Sequence, residues 1–148
     1  MTDKELEHAK RAKLMREKPE VFKKILQIEE RYNKGIATPI IDIAYSYACN
    51  LKCRHCTASR FEKKPRKLTP DELRKISDEA HALGLCQFCI SGGEPLIFKD
   101  LDEVISALQP DKFHLAMSTN GHFMTKEMAR HLKESGLDKA KISLDDFD

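Results

Sequence analysis

Ala48-Cys49-Asn50-Leu51-Lys52-Cys53-Arg54-His55-Cys56-Thr57 is the stretch whose reading decides the fold. Its cysteines are spaced C-x3-C-x2-C. Three thiolates so close in sequence meet at one point only if the backbone wraps around it. A straight strand would send neighbouring side chains to opposite faces, so the stretch reads as a loop. Thiolates are soft ligands suited to zinc or to iron–sulfur clusters. A structural zinc site usually closes with four ligands, and a [4Fe–4S] cluster is normally held by four cysteines. Cys49, Cys53 and Cys56 offer three, which would leave one iron open to a substrate or cofactor.

The rest of the chain alternates strand and helix around this loop. Pro39 opens a first strand over 40–46, and further strands are predicted over 87–91, 113–118 and 140–144. Thr69-Pro70-Asp71-Glu72 is a helix start: Thr69 caps, Pro70 takes the first helical position and Glu72 completes a capping box. Leu73, Ile76, Ala80 and Leu83 form its apolar stripe, and Gly84 stops it. A second helix covers 101–108. A third is capped by Thr125, carries Met128, Ala129 and Leu132, and stops at Gly136. Strand–helix alternation of this kind implies a parallel α/β sheet with right-handed crossovers. Before it, residues 3–34 read as two helices. Pro19 sits in the first turn of the second, and Val21, Phe22, Ile25, Leu26 and Ile28 make an apolar stripe ending at Gly35. The expected division is a helical extension over 1–38, packed on the outside or bottom of the sheet, and a core over 39–148.

Every polar motif falls where a strand ends. After the second strand comes Ser91-Gly92-Gly93-Glu94-Pro95, after the third Ser118-Thr119-Asn120-Gly121, and at the fourth Ile142-Ser143-Leu144-Asp145. In a parallel β/α barrel the active site lies at the C-terminal strand ends, so all four motifs would share one rim. Glycines let a ligand reach the backbone and permit positive φ, and Glu94 adds a carboxylate suited to a cationic amine. Short hydroxyl and amide side chains at Thr119 and Asn120 suit a carboxylate or a ribose. If Ile142 and Leu144 face outward to the helices, strand alternation sets Ser143 and Asp145 on the inner side.

With these four motifs in this order, the chain resembles the radical S-adenosylmethionine (radical SAM) superfamily over roughly 40–145. The match is to the branch with Cys-Asn-Leu-x-Cys-x-His-Cys, Gly-Gly-Glu-Pro and Ser-Leu-Asp, which includes peptide-maturing and haem-precursor-modifying enzymes. The resemblance implies an α/β fold, a partial (β/α)6 TIM-like barrel truncated here to about four units. It implies that Cys49, Cys53 and Cys56 ligate a [4Fe–4S] cluster and that S-adenosylmethionine chelates its fourth iron. Reductive cleavage then yields a 5′-deoxyadenosyl radical that abstracts hydrogen from substrate. The implied cofactor contacts are His55, on adenine or over the cluster, and Gly92, Gly93, Glu94, Thr119, Asn120 and Ser143. No side-chain general base is required. The implied partners are an electron donor such as flavodoxin or ferredoxin and a substrate that is a peptide, a tetrapyrrole or a small molecule. The family commonly has Gly after the fourth-strand Asp, and here Asp146 follows. The chain stops four residues past Leu144. The family's fifth and sixth strands have no counterpart, so the expectation is a fragment or one part of a split enzyme completed by a second polypeptide. Such a sheet has an exposed edge. The alternatives are a zinc-binding structural module and a catalytically inactive remnant.

Other features are weighed more plainly. With 41% hydrophobic and 34% charged residues the chain is globular, and a net charge of +2 is too small to argue for nucleic acid. It has no apolar run of membrane-spanning length and no apolar signal segment at its start, so no membrane partner and a cytoplasmic location are expected. Cys86 and Cys89 read as buried small hydrophobes on opposite faces, not a metal pair. The basic run Lys63, Lys64, Arg66 and Lys67 reads as solvated, with greeting an anionic substrate as the minority reading. His122 is a candidate for touching substrate, and the other histidines take surface or packing roles.

Overall fold

The computed structural model describes residues 2–36, 40–60 and 67–144. Helix α1 spans Asp3–Glu17 and α2 spans Pro19–Asn33. Strand β1 (Ile41–Ser46) leads through the cysteine loop to α3 (Pro70–Ala82). There follow β2 (Gln87–Gly92), α4 (Leu101–Ala107), β3 (His114–Thr119), α5 (Lys126–Glu134) and β4 (Lys139–Ile142). The strands pair in the order β1-β2-β3-β4, and every pair is parallel. This is the α/β architecture expected from the alternation.

Local chemistry explains the helix ends. Thr69 and Glu72 form the reciprocal capping box, and Thr125 Oγ1 accepts from the Met128 N–H at 3.1 Å. Gly35, Gly84 and Gly136 end their helices at positive φ. The helices α3, α4 and α5 cover one face of the sheet. Leu73, Ala80, Leu101, Val104, Ile105 and Leu132 pack there against Ile43, Tyr45, Phe88, Ile90, Leu115 and Met117. Each of the buried Leu, Ile, Val, Phe and Met side chains contributes roughly 1.5–3 kcal/mol of transfer free energy. Leu83 departs from the expected stripe. It follows the end of α3 and is 73% exposed, while Ser77 takes the buried position and donates to the Leu108 carbonyl. Strand β4 begins one residue earlier than expected and ends at Ile142, with all four residues exposed.

The helical extension docks beneath the sheet through two lysines. Lys24 Nζ donates to the Leu85 and Lys112 carbonyls, each at 3.0 Å, lies 2.8 Å from His81 Nδ1 and sits over the Phe113 ring. Lys18 Nζ donates to the Phe113 and Gly136 carbonyls and to Asp138 at 2.6 Å. These carbonyls precede β2, β3 and β4, so the pair marks the N-terminal side of the sheet. Burial pushes the Lys24 ammonium below its usual range.

Two histidines on this underside set a pH dependence. Burial is the main cause that holds both His81 and His114 below 6.5, and the Nδ1 of His114 is buried without a hydrogen-bond partner. A histidine with a lowered folded pKa binds its proton more readily in the unfolded chain, so stability is lost as pH falls below about 6.5. The urea midpoint is expected to drop from about pH 7.5 to about pH 5.5. His114→Phe should flatten that dependence, and an unchanged slope would contradict the assignment.

Candidate functional site

Because all four strands are parallel, their C-terminal ends lie at one end of the sheet, opposite the lysine-pinned underside. The cysteine loop follows β1 there, the Gly-Gly-Glu turn follows β2, Thr119-Asn120 closes β3 and Ser143 follows β4. Backbone and side-chain hydrogen bonds tie these four segments together.

The Gly-Gly-Glu turn is stitched to the entry of the cysteine loop. The Gly93 N–H donates to the Ser46 carbonyl at 2.7 Å and the Glu94 N–H to the Ala48 carbonyl at 2.9 Å. The approach is close enough to exclude side chains. A Cβ on Gly92 would lie 2.3 Å from Ser46 O, and one on Gly93 would lie 1.9 Å from Ala48 O. Gly92 also has a φ of +112°, where a side chain is strained. The sequence reading gives the glycines to a ligand. In the structure their bareness is first required by the backbone that leads into Cys49.

Glu94 is likewise engaged within the chain: it is 1% exposed, with its carboxylate turned inward. Oε1 accepts from the Leu96 N–H at 2.9 Å and from the Thr119 hydroxyl at 2.7 Å, and Oε2 accepts from the Asn120 N–H at 2.7 Å. A buried carboxylate has to be satisfied this way. Glu94 thereby fixes the end of β3 against the end of β2. Thr119 is consequently buried, and its hydroxyl faces Glu94. Asn120 is half-buried and carries the connection on to the cysteine loop. Its Nδ2 donates to Asn50 Oδ1 at 2.9 Å and lies 4.0 Å from Cys49 Sγ. The Ser143 N–H donates to the Thr119 carbonyl at 2.9 Å, and Ser143 is exposed.

Cys49 is exposed, Cys53 and Cys56 are half-buried, and none of the three is in a disulfide. The Leu51 N–H points at Cys49 Sγ at 3.4 Å, and the Cys56 N–H closes on the Cys53 carbonyl at 3.2 Å. His55, on the same loop, is exposed. Among the described residues no three His, Cys, Asp or Glu side chains are gathered around a single ion. A cubane cluster takes each cysteine on a separate iron, so the test of fit is the donor set. Three soft ligands on one loop, none of them in a disulfide, suit such a cluster.

The remaining candidates divide. His122 is exposed, donates its backbone N–H to Asn120 Oδ1 and stands edge-on to Phe123. Residues 61–66 of the basic run, and Asp145 and Asp146, lie outside the described residues. Lys67, which does not, is paired with Asp100. Cys86 and Cys89 are both buried. Cys86 lies near Lys24, with its thiol pushed up by burial, while Cys89, in β2, has its Sγ 3.7 Å from Ser118 Oγ in β3. Replacing both with Ala is expected to leave iron uptake by the chain unchanged. Loss of about half the iron would reveal a second cluster.

Comparison with known proteins agrees with this geometry. Residues 43–148 match the model of the radical SAM superfamily. The chain belongs to that superfamily. A probable GTP 3′,8-cyclase of Pyrococcus horikoshii is 40% identical over 119 residues, covering 80% of this chain and 37% of the relative. A probable GTP 3′,8-cyclase of Methanococcus maripaludis is 35% identical over 123 residues, covering 82% of this chain and 40% of the relative. This radical SAM chain thus spans well under half the length of those curated relatives. Among solved structures, BtrN in complex with AdoMet and 2-DOIA matches with a TM-score of 0.63 at 22% identity, over 72% of this chain and 45% of BtrN. Streptococcus suis SuiB bound to S-adenosylmethionine matches with a TM-score of 0.56 at 26% identity, over 78% of this chain and 26% of SuiB. These likenesses bear on the fold, a partial barrel of the radical SAM type.

Proposed function

We propose that this chain binds S-adenosylmethionine against a [4Fe–4S] cluster held by Cys49, Cys53 and Cys56, and supports its reductive cleavage as part of an enzyme acting on GTP. The carrying observation is the hydrogen-bonded rim. Gly93 and Glu94 hold the loop entry at Ser46 and Ala48, Glu94 holds Thr119 and Asn120, and Asn120 holds Asn50 beside Cys49. When bound, the cluster supplies the electron that cleaves the sulfonium.

The chain's own residues do the positioning. The three cysteines lie on a loop whose entry is fixed by two backbone bonds. Inward use of the Glu94 carboxylate leaves the open side of the Gly-Gly turn to offer backbone polar groups to the methionine end. The amide of Asn120 and the exposed hydroxyl of Ser143 face the same end of the sheet, where a carboxylate or ribose is held by hydrogen bonds. His55 covers the cluster or the adenine. A reduced carrier of the flavodoxin or ferredoxin kind is the electron source. The choice of GTP rests on the relatives alone, since their resemblance runs through this part of the chain at 40% identity.

Equilibrium binding of S-adenosylmethionine to the anaerobically reconstituted chain, beside the apo chain, tests the reading. Affinity at least about tenfold tighter with the cluster, a difference of about 1.4 kcal/mol, is expected. Equal affinities would overturn it. Formation of 5′-deoxyadenosine after reduction, compared with GTP, with ATP and with neither, tests the substrate. GTP should raise it above both others.

A further inference from the structure

The sheet has a second face, opposite the helices. Ile43, Phe88 and Leu115 pack on the helix side, so their neighbours along each strand turn the other way. One row of paired residues there runs Asp42, Cys89, Ala116 and Lys139 across all four strands. The next alternate position, nearer the rim, puts Lys141 beside Ser118. Two observations agree on the common side. Cys89 Sγ lies 3.7 Å from Ser118 Oγ, and the Lys139 charge acts on His114, which shares the face.

The charges of this face stand at its edges. Asp42 is on β1 and Lys139 and Lys141 are on β4, and all three are exposed. None of them forms an ion pair among the described residues. Between them the floor is small and uncharged: Cys89 and Ala116 are buried, and Ser91 and Ser118 are half-buried. Three strand spacings separate β1 from β4, roughly 14 Å along the sheet. That is comparable to the reach of an extended nucleoside triphosphate from base to phosphates.

We infer that this face holds the substrate in one orientation, with the triphosphate of GTP on Lys139 and Lys141 and the guanine edge on Asp42. The identity of the nucleotide rests on the proposed function; the polarity of the face does not. Ammonium groups are point charges suited to phosphate oxygens, and their hydrogen bonds to them are charge-assisted. An ionised carboxylate only accepts, and guanine presents N1–H and its 2-amino group side by side, so Asp42 takes both. Adenine presents an acceptor at N1 and would face the carboxylate with a lone pair. The sugar then crosses the serine-lined middle of the face, beneath the rim proposed to hold S-adenosylmethionine. Asp42 is thereby a specificity residue, and the two lysines supply affinity.

Equilibrium binding of GTP, ITP and ATP to the anaerobically reconstituted chain tests the inference. ITP lacks the 2-amino group. The wild type should bind GTP about tenfold more tightly than ITP, the scale of a hydrogen bond to a charged group. Asp42→Ala should bring GTP down to the ITP level and leave ATP unchanged. A merely structural role for Asp42 would weaken all three alike, and that result would overturn the assignment. Lys139→Met and Lys141→Met should each weaken all three triphosphates about fivefold and leave guanosine unaffected. Lys75→Met removes an exposed charge on α3, away from this face, and should change nothing. An equal loss there would reduce the lysines to bulk charge and refute the site. The outcomes also separate this inference from the functional reading. A wild type that prefers GTP, with every variant unchanged, refutes the orientation and leaves GTP standing. A wild type that binds GTP no better than ITP or ATP sinks the substrate reading and the role of Asp42 with it. Binding of inorganic tripolyphosphate then decides the lysines: they are upheld if Lys141→Met weakens it and Lys75→Met does not, and refuted otherwise.

Discussion

Gly93→Ala is expected to unfasten the site while sparing the sheet. The added Cβ would lie 1.9 Å from the Ala48 oxygen, 2.6 Å from the Ala48 carbonyl carbon and 2.8 Å from the Tyr47 carbonyl carbon. All three are backbone atoms, so no rotamer change can make room. The turn has to move away from β1, and the bonds from Gly93 N to Ser46 O and from Glu94 N to Ala48 O go with it. The cost should fall at or above the top of the usual overpacking range of about 1–3 kcal/mol. Displacing the turn by about an ångström should weaken S-adenosylmethionine turnover by on the order of a hundredfold. Gly84→Ala provides the contrast. Its φ is +78° but nothing lies within 4 Å of the added carbon, so its cost is backbone strain of about 1 kcal/mol. Urea unfolding of the two variants checks the comparison. Equal midpoints would show that the close approach at Gly93 is not needed.

The second large effect is expected from Cys53→Ala, which should abolish cluster assembly. The cluster would be left two cysteines, and iron and sulfide after anaerobic reconstitution should fall to near zero. The apo fold should survive. Cys53 contributes to its loop through its backbone carbonyl, which accepts from Cys56 N at 3.2 Å and is unaffected by the substitution. A stability change within about 0.5 kcal/mol is therefore expected for the apo chain. A Cys53→Ala protein that still carries a full [4Fe–4S] complement would remove Cys53 from the ligand set.

Much of this arrangement was legible in the sequence because its signals are local. Thr69 and Glu72 are three residues apart and cap each other. Pro19 and Gly136 punctuate their helices within a turn. The motifs could be placed on one rim because parallel strands put their ends together. What escaped notice joins residues distant along the chain. Lys18 meets the Gly136 carbonyl across 118 positions and Lys24 meets the Leu85 carbonyl across 61, contacts that no local pattern records. Lys67 looked like one more cation in a basic run, yet its partner Asp100 is 33 positions away. Glu94 and the glycines stand where β2 ends. Their immediate partners, Thr119, Asn120 and the Ala48 carbonyl, lie on neighbouring strand ends, which no spacing along the chain records.

The central claim is that one rim gathers a cluster and S-adenosylmethionine together. Its most direct test is the electron paramagnetic resonance spectrum of the anaerobically reconstituted, reduced chain before and after S-adenosylmethionine is added, with iron and sulfide counted on the same sample. The account predicts about four irons and four sulfides per chain, and a signal that changes on addition of S-adenosylmethionine but not of methionine alone. A colourless protein holding one tightly bound zinc, or a cluster whose signal ignores S-adenosylmethionine, would contradict it.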